Sequence, residues 1–256
     1  MRYAIMSDVH ANPAALAEAL ADARKRGCRR FIMLGDVTGY GYDVNEALRL
    51  VRENFDVVLM GNHDSACLGL EPYMEVCMNR NYRVDVAQRE CLADDDRAWL
   101  RGRPYLHAEG DIAFVHGDFT SPAAWNYVFY AQDVVVNFFS RSERILFCGH
   151  THHAAAWEMP ASGVARERLV NCLARPPERA DAHSFSLKAD SRYLVNVGSV
   201  GHPRHDRCST YAIYDSESQR IAFRRLPVDL AAYAAALDNS GIDQPLWLSD
   251  ALAGVR

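Results

Sequence analysis

The chain has 256 residues, 49% apolar and 24% charged, with a formal net charge of −5 and a pI near 6.0. This balance is ordinary for a globular protein: no apolar run approaches the ~20 residues that span a bilayer, and no Lys/Arg block forms the basic stripe of a nucleic-acid binder. The seven cysteines include no Cys-x-x-Cys pair, and several sit in apolar runs, as Cys148 does; this predicts buried thiols, no structural disulfides and a reducing, cytoplasmic setting.

Residues 2–7 read as a strand, and the apolar stretch there is too short for a signal peptide. Asn12 followed by Pro13 predicts a helix start, with Asn as N-cap and Pro at the first helical position. Leu16, Ala19, Leu20 and Ala23 share one face of that helix, and Gly27 ends it. Residues 31–34 form the second strand. Asp43, with Glu46 three residues on, predicts a second helix opening on a capping box, and residues 57–60 form the third strand. Strands alternating with helices predict βαβ units and an α/β fold. Helices are predicted over 84–92 and 94–100. Residues 105–107 and 112–115 flank Glu109-Gly110-Asp111, a hairpin signal. Residues 144–148 read as a buried strand. The stretch 160–190, with Pro160, Gly163, Pro176 and Pro177, is read as a hairpin with a long loop. Strands are predicted over 193–197, 211–214 and 221–226, with Asp229 and Ser249 capping short C-terminal helices. No repeat, linker or low-complexity tract interrupts the chain, so residues 1–256 are read as one domain with an insertion at about 160–190.

The polar residues that carry chemistry fall just after the predicted strands. Asp8 and His10 follow the first, Gly35-Asp36 the second and Gly61-Asn62-His63-Asp64 the third. His116-Gly117 follows residues 112–115, and Gly149-His150-Thr151-His152 follows 144–148. Ligands of α/β sheets bind beyond the carboxyl ends of the strands, so these residues are predicted to share one edge. Imidazole and carboxylate with an amide oxygen suit Mn, Fe, Zn, Ni or Co better than Mg or Ca, and the absence of thiolates argues against a structural zinc site. Seven ligands exceed the need of one tetrahedral ion and suit two ions sharing a carboxylate. Two divalent ions with two aspartates and one hydroxide keep a net charge of about +1, which attracts phosphate. Such a pair, roughly 3.5–4 Å apart, activates water and clamps the attacking and leaving oxygens.

The series Asp8-x-His10, Gly35-Asp36, Gly61-Asn62-His63-Asp64, His116-Gly117 and Gly149-His150-Thr151-His152 resembles the calcineurin-like metallophosphoesterase superfamily. Gly39-Tyr40-Gly41 with Asn45-Glu46, and the run from Val195 to Gly201, resemble its small bacterial and archaeal phosphodiesterase-like branch. The resemblance spans residues 1 to about 227. It implies a four-layer αββα sandwich of two mixed sheets. Asp8, His10, Asp36 and His152 are then expected to hold one ion, and Asp36, Asn62, His116 and His150 the other, with Asp36 bridging. His63 is expected to contact phosphate and protonate the leaving oxygen, with Asp64 orienting His63, while a bridging hydroxide attacks phosphorus in line. Tyr42, where the branch often has Pro, and His202, where it often has Gln, depart from the pattern and bear on the substrate pocket.

The expected function is hydrolysis of a phosphate mono- or diester, with a small phosphoester or nucleotide as substrate. The alternatives are a protein serine/threonine phosphatase, a nuclease, or a non-catalytic binding scaffold. Arg204 either binds substrate phosphate or braces its loop, and His202 and His205 are candidates for the pocket wall. Tyr40 and Tyr42 either stack on a substrate base or pack the loop.

Overall fold

Alternation along the strands decides the layers. In β1 (Arg2–Met6), Ala4 and Met6 point into one apolar cluster and Ile5 into another. In β2 (Arg30–Met33), Phe31 and Met33 share the first cluster and Ile32 the second. The same two-residue period in β5 (Ile112–Val115) and β6 (Ile145–Cys148) turns Ile112, Phe114, Ile145 and Phe147 toward Ile5 and Ile32. Their neighbours Ala113, Val115, Leu146 and Cys148 face the opposite way, into a third cluster. A strand that buries both faces in this manner belongs to a sheet covered on both sides.

The computed structural model describes residues 1–70, 80–161, 166–168, 183–204 and 208–252. Its strands form two mixed six-stranded sheets. In the first, β1 pairs in parallel with β2, and β2 with β3 (Val57–Val58). On its other side β1 pairs antiparallel with β11 (Cys208–Asp215), followed by β12 (Arg220–Pro227) and β9 (His183–Ser186). The second sheet runs β4 (Leu106–Glu109), β5, β6, β10 (Ser191–Val197), β7 (Ala154–Pro160), β8 (Arg166–Arg168). The cluster around Ile5, Phe114, Phe147 and Val195 fills the space between the sheets. Helices α1 (Pro13–Lys25) and α2 (Val44–Asn54) cover the first sheet through Leu16, Leu20, Leu48 and Val51. Helix α6 (Ala131–Ser140) covers the second through Val134 and Phe138. The four layers are the predicted αββα sandwich.

Local signals act as expected in the first half. The Asn12 side chain accepts from Ala15 N at 3.2 Å, and Asp43 accepts from Glu46 N at 3.0 Å. Glu46 does not complete the capping box; its carboxylate takes Arg49 instead. Strand β3 is shorter than predicted because the chain leaves the sheet after Leu59: Met60 N donates to Pro104 O at 2.9 Å. Among the described residues three helices follow, α3 (Asn62–Cys67), α4 (Arg80–Cys91) and α5 (Asp94–Arg101).

Among the elements that escaped prediction, beside the short helix α3, two have a clear physical reason. Strand β7 opens on three alanines, poor strand formers, and is held by pairing with β10 over seven residues. Helix α6 carries the β-branched run Val134–Val135–Val136, which disfavours helix until Val134 and Phe138, four residues apart, dock on the sheet. The 160–190 stretch is not one closed hairpin. β8 returns beside β7, whereas β9 crosses to the other sheet beside β12; residues 169–182 between them lie outside the described residues.

The chain ends in a helical hairpin, α7 (Leu230–Asn239) and α8 (Leu246–Leu252). Asp229 caps α7 as predicted, accepting from Ala232 N at 2.9 Å. Ser249 lies inside α8 rather than capping it, because Pro245 starts that helix. Cys28, Cys67, Cys148 and Cys208 are buried free thiols and Cys91 is an exposed one; Cys77 and Cys172 lie outside the described residues. No described helix is long and apolar enough to cross a membrane.

Candidate metal centre

Five strand ends meet at one edge, three from the first sheet and two from the second. β1 delivers Asp8 and His10, β2 delivers Asp36, and Asn62 opens the helix that follows β3. β5 delivers His116, and β6 delivers His150 and His152. Asp8, His10, Asp36, His150 and His152 all adopt left-handed backbone, with φ between 48° and 66°. Such conformations cost about 1 kcal/mol or more per non-glycine residue and gather at functional sites. Two glycines make the closeness possible. A Cβ on Gly61 would collide with Asp36 Oδ1, and one on Gly149 would lie 2.7 Å from Asp8 Oδ2.

The ligand atoms fall into three overlapping groups, one of them made of His10, Asp36 and His63; the other two carry the predicted ligands. Asp8, His10 and His152 converge in one, and Asp36, His116 and His150 in the other, with all six residues buried. His152 Nε2 lies 3.2 Å from Asp8 Oδ1, and His10 Nε2 lies 3.7 Å from the same oxygen. Asp36 Oδ2 lies 3.7 Å from His10 Nε2 and 3.3 Å from His116 Nε2, so it faces both groups. Asn62 Oδ1 is 3.1 Å from His116 Nε2. All seven predicted ligands are therefore assembled.

Hydrogen bonds behind the rings assign the tautomers. His10 Nδ1 donates to Thr38 O at 2.9 Å and His152 Nδ1 donates to His202 O at 2.7 Å. A carbonyl only accepts, so both protons sit on Nδ1 and both Nε2 atoms present lone pairs. Burial lowers the pKa of both rings, that of His10 to about 4, and keeps them neutral. These two lone pairs nevertheless lie 3.2 Å apart, beside an Asp8 Oδ1 that is buried and has no hydrogen-bond donor among the described residues. Converging electron pairs with no proton between them fit a cation. On the other side His150 Nε2 donates to Trp125 O at 2.9 Å, and burial holds the ring neutral, with a pKa of about 3, so its Nδ1 is bare. Burial opposes charge on His116, but Asp36 and Asp8 overcome it and push its pKa up to about 9.

His63 adjoins both groups, a ring nitrogen lying within 4.8 Å of the ligand atoms of His10 and Asp36. Its backbone N–H donates to Asp36 Oδ1 at 2.8 Å, and its ring edge lies against His10, with centroids 4.9 Å apart. The predicted orienting role of Asp64 is corrected here. The Asp64 carboxylate accepts from the backbone N–H groups of Asp36, Val37, Thr38 and Gly61, at 2.8–3.1 Å, and so shapes the loop that carries Asp36. The carboxylate that meets His63 Nδ1 is that of Asp85 on α4, at 3.0 Å. Burial opposes the His63 charge, yet Asp85 and Asp36 raise its pKa to about 9. No motif announces Asp85. Asp85→Asn is expected to lower kcat by roughly 10–100-fold and to move the alkaline limb of the pH–rate profile to lower pH. A lowered kcat with an unmoved profile would assign Asp85 to packing alone.

Residues 1–219 match the calcineurin-like phosphoesterase superfamily domain. The chain belongs to this superfamily. An uncharacterized protein of Methanocaldococcus jannaschii is 28% identical over 255 residues, 97% of this chain and 96% of its own. The solved metallophosphoesterase of Sphaerobacter thermophilus is 29% identical, covers 100% of both chains and superposes with a TM-score of 0.79. The symmetrical bis(5'-nucleosyl)-tetraphosphatase of Methylococcus capsulatus is 33% identical over 101 residues, 38% of this chain and 34% of its own.

The run from Val195 to Gly201 braces this calcineurin-like centre. Asn196 Nδ2 donates to Gly149 O at 2.6 Å and Thr151 Oγ1 at 2.9 Å, holding the loop of His150 and His152. Ser199 Oγ donates to Asp8 O at 2.9 Å and accepts from His202 N at 2.9 Å, which places the carbonyl that His152 needs.

In this superfamily member the centre opens into a cleft of about 870 Å³, lined by Asn62, His63, His150 and His152 and by Tyr40, Tyr127, His202 and Arg204. Tyr40 stacks on His202 at 4.3 Å and sits 4.5 Å from His63, so it packs the loop and faces the cleft at once. His202 is buried; His205 lies outside the described residues. Tyr127, which carried no sequence signal, stacks on His150 at 4.1 Å and leaves 46% of its surface exposed.

Proposed function

We propose that this protein is a binuclear-metal hydrolase of small phosphate mono- or diesters. The carrying observation is the pair of bare Nε2 atoms on His10 and His152 beside Asp8 Oδ1, with Asp36 turned toward both this group and that of His116 and His150. In this reading Asp8, His10, Asp36 and His152 hold one ion, and Asp36, Asn62, His116 and His150 the other. Imidazole with carboxylate favours Mn, Fe, Ni, Zn or Co. When bound, such ions supply Lewis-acid activation of water and neutralise charge on the phosphoryl oxygens.

The remaining work falls to side chains. His63, held at Nδ1 by Asp85, is placed to hand a proton to the leaving oxygen as general acid. Asp64 keeps the Asp36 loop in its conformation. Arg204 lines the cleft and offers a planar guanidinium to a phosphate oxygen. Full-length similarity to the Sphaerobacter metallophosphoesterase supports the reaction class. A cleft rather than a shallow groove favours a small ester over a phosphoprotein. Arg83 and Arg204 are the only arginine or lysine side chains lining it among the described residues, short of the basic track that a nuclease uses.

The test is metal-dependent turnover. The protein is stripped with chelator and given Mn, Ni, Co, Fe, Zn or Mg, then assayed on para-nitrophenyl phosphate and its bis-ester. Chelation should abolish hydrolysis and one of the transition ions should restore it. Two ions bound per chain with no hydrolysis of either ester would replace this reading with a binding scaffold.

A further inference from the structure

The cleft is larger than the metal centre requires. Its 870 Å³ lies high in the range of pockets that bury a drug-sized organic ligand, several times the space of one phosphoryl group. Beside the start of α2, which brings Asn45, the additional lining forms two walls. One is helix α4, through Val84 and Ala87; the other is the C-terminal hairpin, through Ile242, Pro245 and Leu246. The superfamily match ends at residue 219, so the second wall is built by a segment beyond it.

That wall is fixed in place. The hairpin has its own small core of Tyr233, Ala234, Leu237 and Leu248, against which Tyr42 and Ile242 pack. Tyr42 stands two residues after Tyr40, on the loop that touches His63, and its ring lies 6.2 Å from that of Tyr233. The turn between the helices closes with Ile242 N donating to Leu237 O at 3.0 Å, and Gly241 supplies the left-handed residue there, at φ +68°. The hairpin is thus fastened to the metal-site loop, and it presents Leu246 to the cleft with 78% of its surface in water.

The chemistry of the lining selects a ligand. Val84, Ala87, Pro245 and Leu246 offer apolar surface, while Asn45, exposed on α2, brings an amide with donor and acceptor and no hydrogen-bond partner among the described residues. Arg83, also exposed, brings a guanidinium with no carboxylate partner among the described residues. Asp43 and Asp243 line the cleft as well; Asp43 is engaged in capping α2. An alkyl chain would leave the amide and guanidinium without polar contacts, and a bare sugar would leave the apolar walls uncovered. A nucleobase has apolar faces and a polar edge, and guanidinium planes stack on it.

We propose that the outer cleft, between α4 and the C-terminal turn, is a nucleobase subsite, so that the substrate is a nucleotide ester whose phosphate lies on the metal centre. This deepens the phosphoesterase reading and rests on it for the position of the phosphate.

The test separates base from phosphate. Binding of adenosine 5'-monophosphate and of ribose 5-phosphate to the metal-loaded protein is measured by titration calorimetry, for the wild type and for Leu246→Ser combined with Asn45→Ala. Both positions are exposed, so the variant keeps its fold. The wild type should bind the nucleotide at least roughly tenfold more tightly than the sugar phosphate. In the variant that preference should fall by about fivefold or more, with ribose 5-phosphate affinity unchanged within twofold. Equal affinities in the wild type, or an undiminished preference in the variant, would overturn the subsite. In a parallel assay, the variant should raise KM for thymidine 5'-(para-nitrophenyl phosphate) and leave bis-para-nitrophenyl phosphate unaffected. Absence of hydrolysis of both esters would count against the phosphoesterase reading alone, because the calorimetry reads the subsite without turnover.

Discussion

Replacing His63 with alanine should leave the metal content of the protein unchanged and lower kcat by about 10²–10⁴-fold, the range that a positioned general acid contributes. The metal content should survive because His63 reaches Asp36 through its backbone N–H, at 2.8 Å, and alanine keeps that donor. The ring nitrogen held by Asp85 is lost, and with it the proton source. The loss should depend on the leaving group. A nitrophenolate departs readily as an anion and needs little protonation, whereas an alkoxide needs a proton as the bond breaks. We therefore expect a larger fall with an alkyl phosphodiester than with bis-para-nitrophenyl phosphate. Metal analysis of the purified variant, alongside kcat on both esters, checks this. Wild-type kcat would remove His63 from the chemistry, and an equal fall with both esters would reassign it from proton donor to phosphate contact.

Asp36→Ala should lose metal, activity and stability together. Asp36 is 1% exposed, its Oδ2 faces His10 and His116, and its Oδ1 holds the backbone of His63. Removing one partner of a buried charge cluster costs roughly 3–5 kcal/mol. The linkage to metal is lost as well, about 4 kcal/mol for an ion present at 1,000 times its Kd, because folding and metal binding draw on the same ligands. In thermal melts, added manganese should raise the wild-type Tm and leave that of the variant unmoved. An Asp36→Ala protein with full metal and full activity would sink the two-ion assignment.

The succession of strands and helices in the first half, the caps at Asn12, Asp43 and Asp229, and the seven metal-ligand candidates were all legible in the sequence. Each is a local matter. A short apolar run between turn residues marks a buried strand, a cap satisfies N–H groups two or three residues away, and Asp, His and Asn placed just after strands reach the edge wherever those strands pair. Asp85 was not legible, because it lies 22 residues from His63 on a helix whose direction depends on packing. Asp64 was the nearer acid, but its oxygens are taken by three N–H groups of the Asp36 loop that folds over it and by the N–H of Gly61.

The groups that set the ring tautomers were equally hidden. Thr38, Trp125 and His202 act through backbone carbonyls, which every residue possesses, so side-chain identity gives no sign of the role. By itself, then, the sequence determined the α/β class, the edge and the donor atoms of the site, because short-range stereochemistry dictates them, while the four layers followed from the family resemblance. Only the tertiary structure decided which carboxylate holds His63, which carbonyls bare the imidazole nitrogens and which segment walls the outer cleft. Each of these is a contact between parts of the chain that meet only when the two sheets and their covering helices pack.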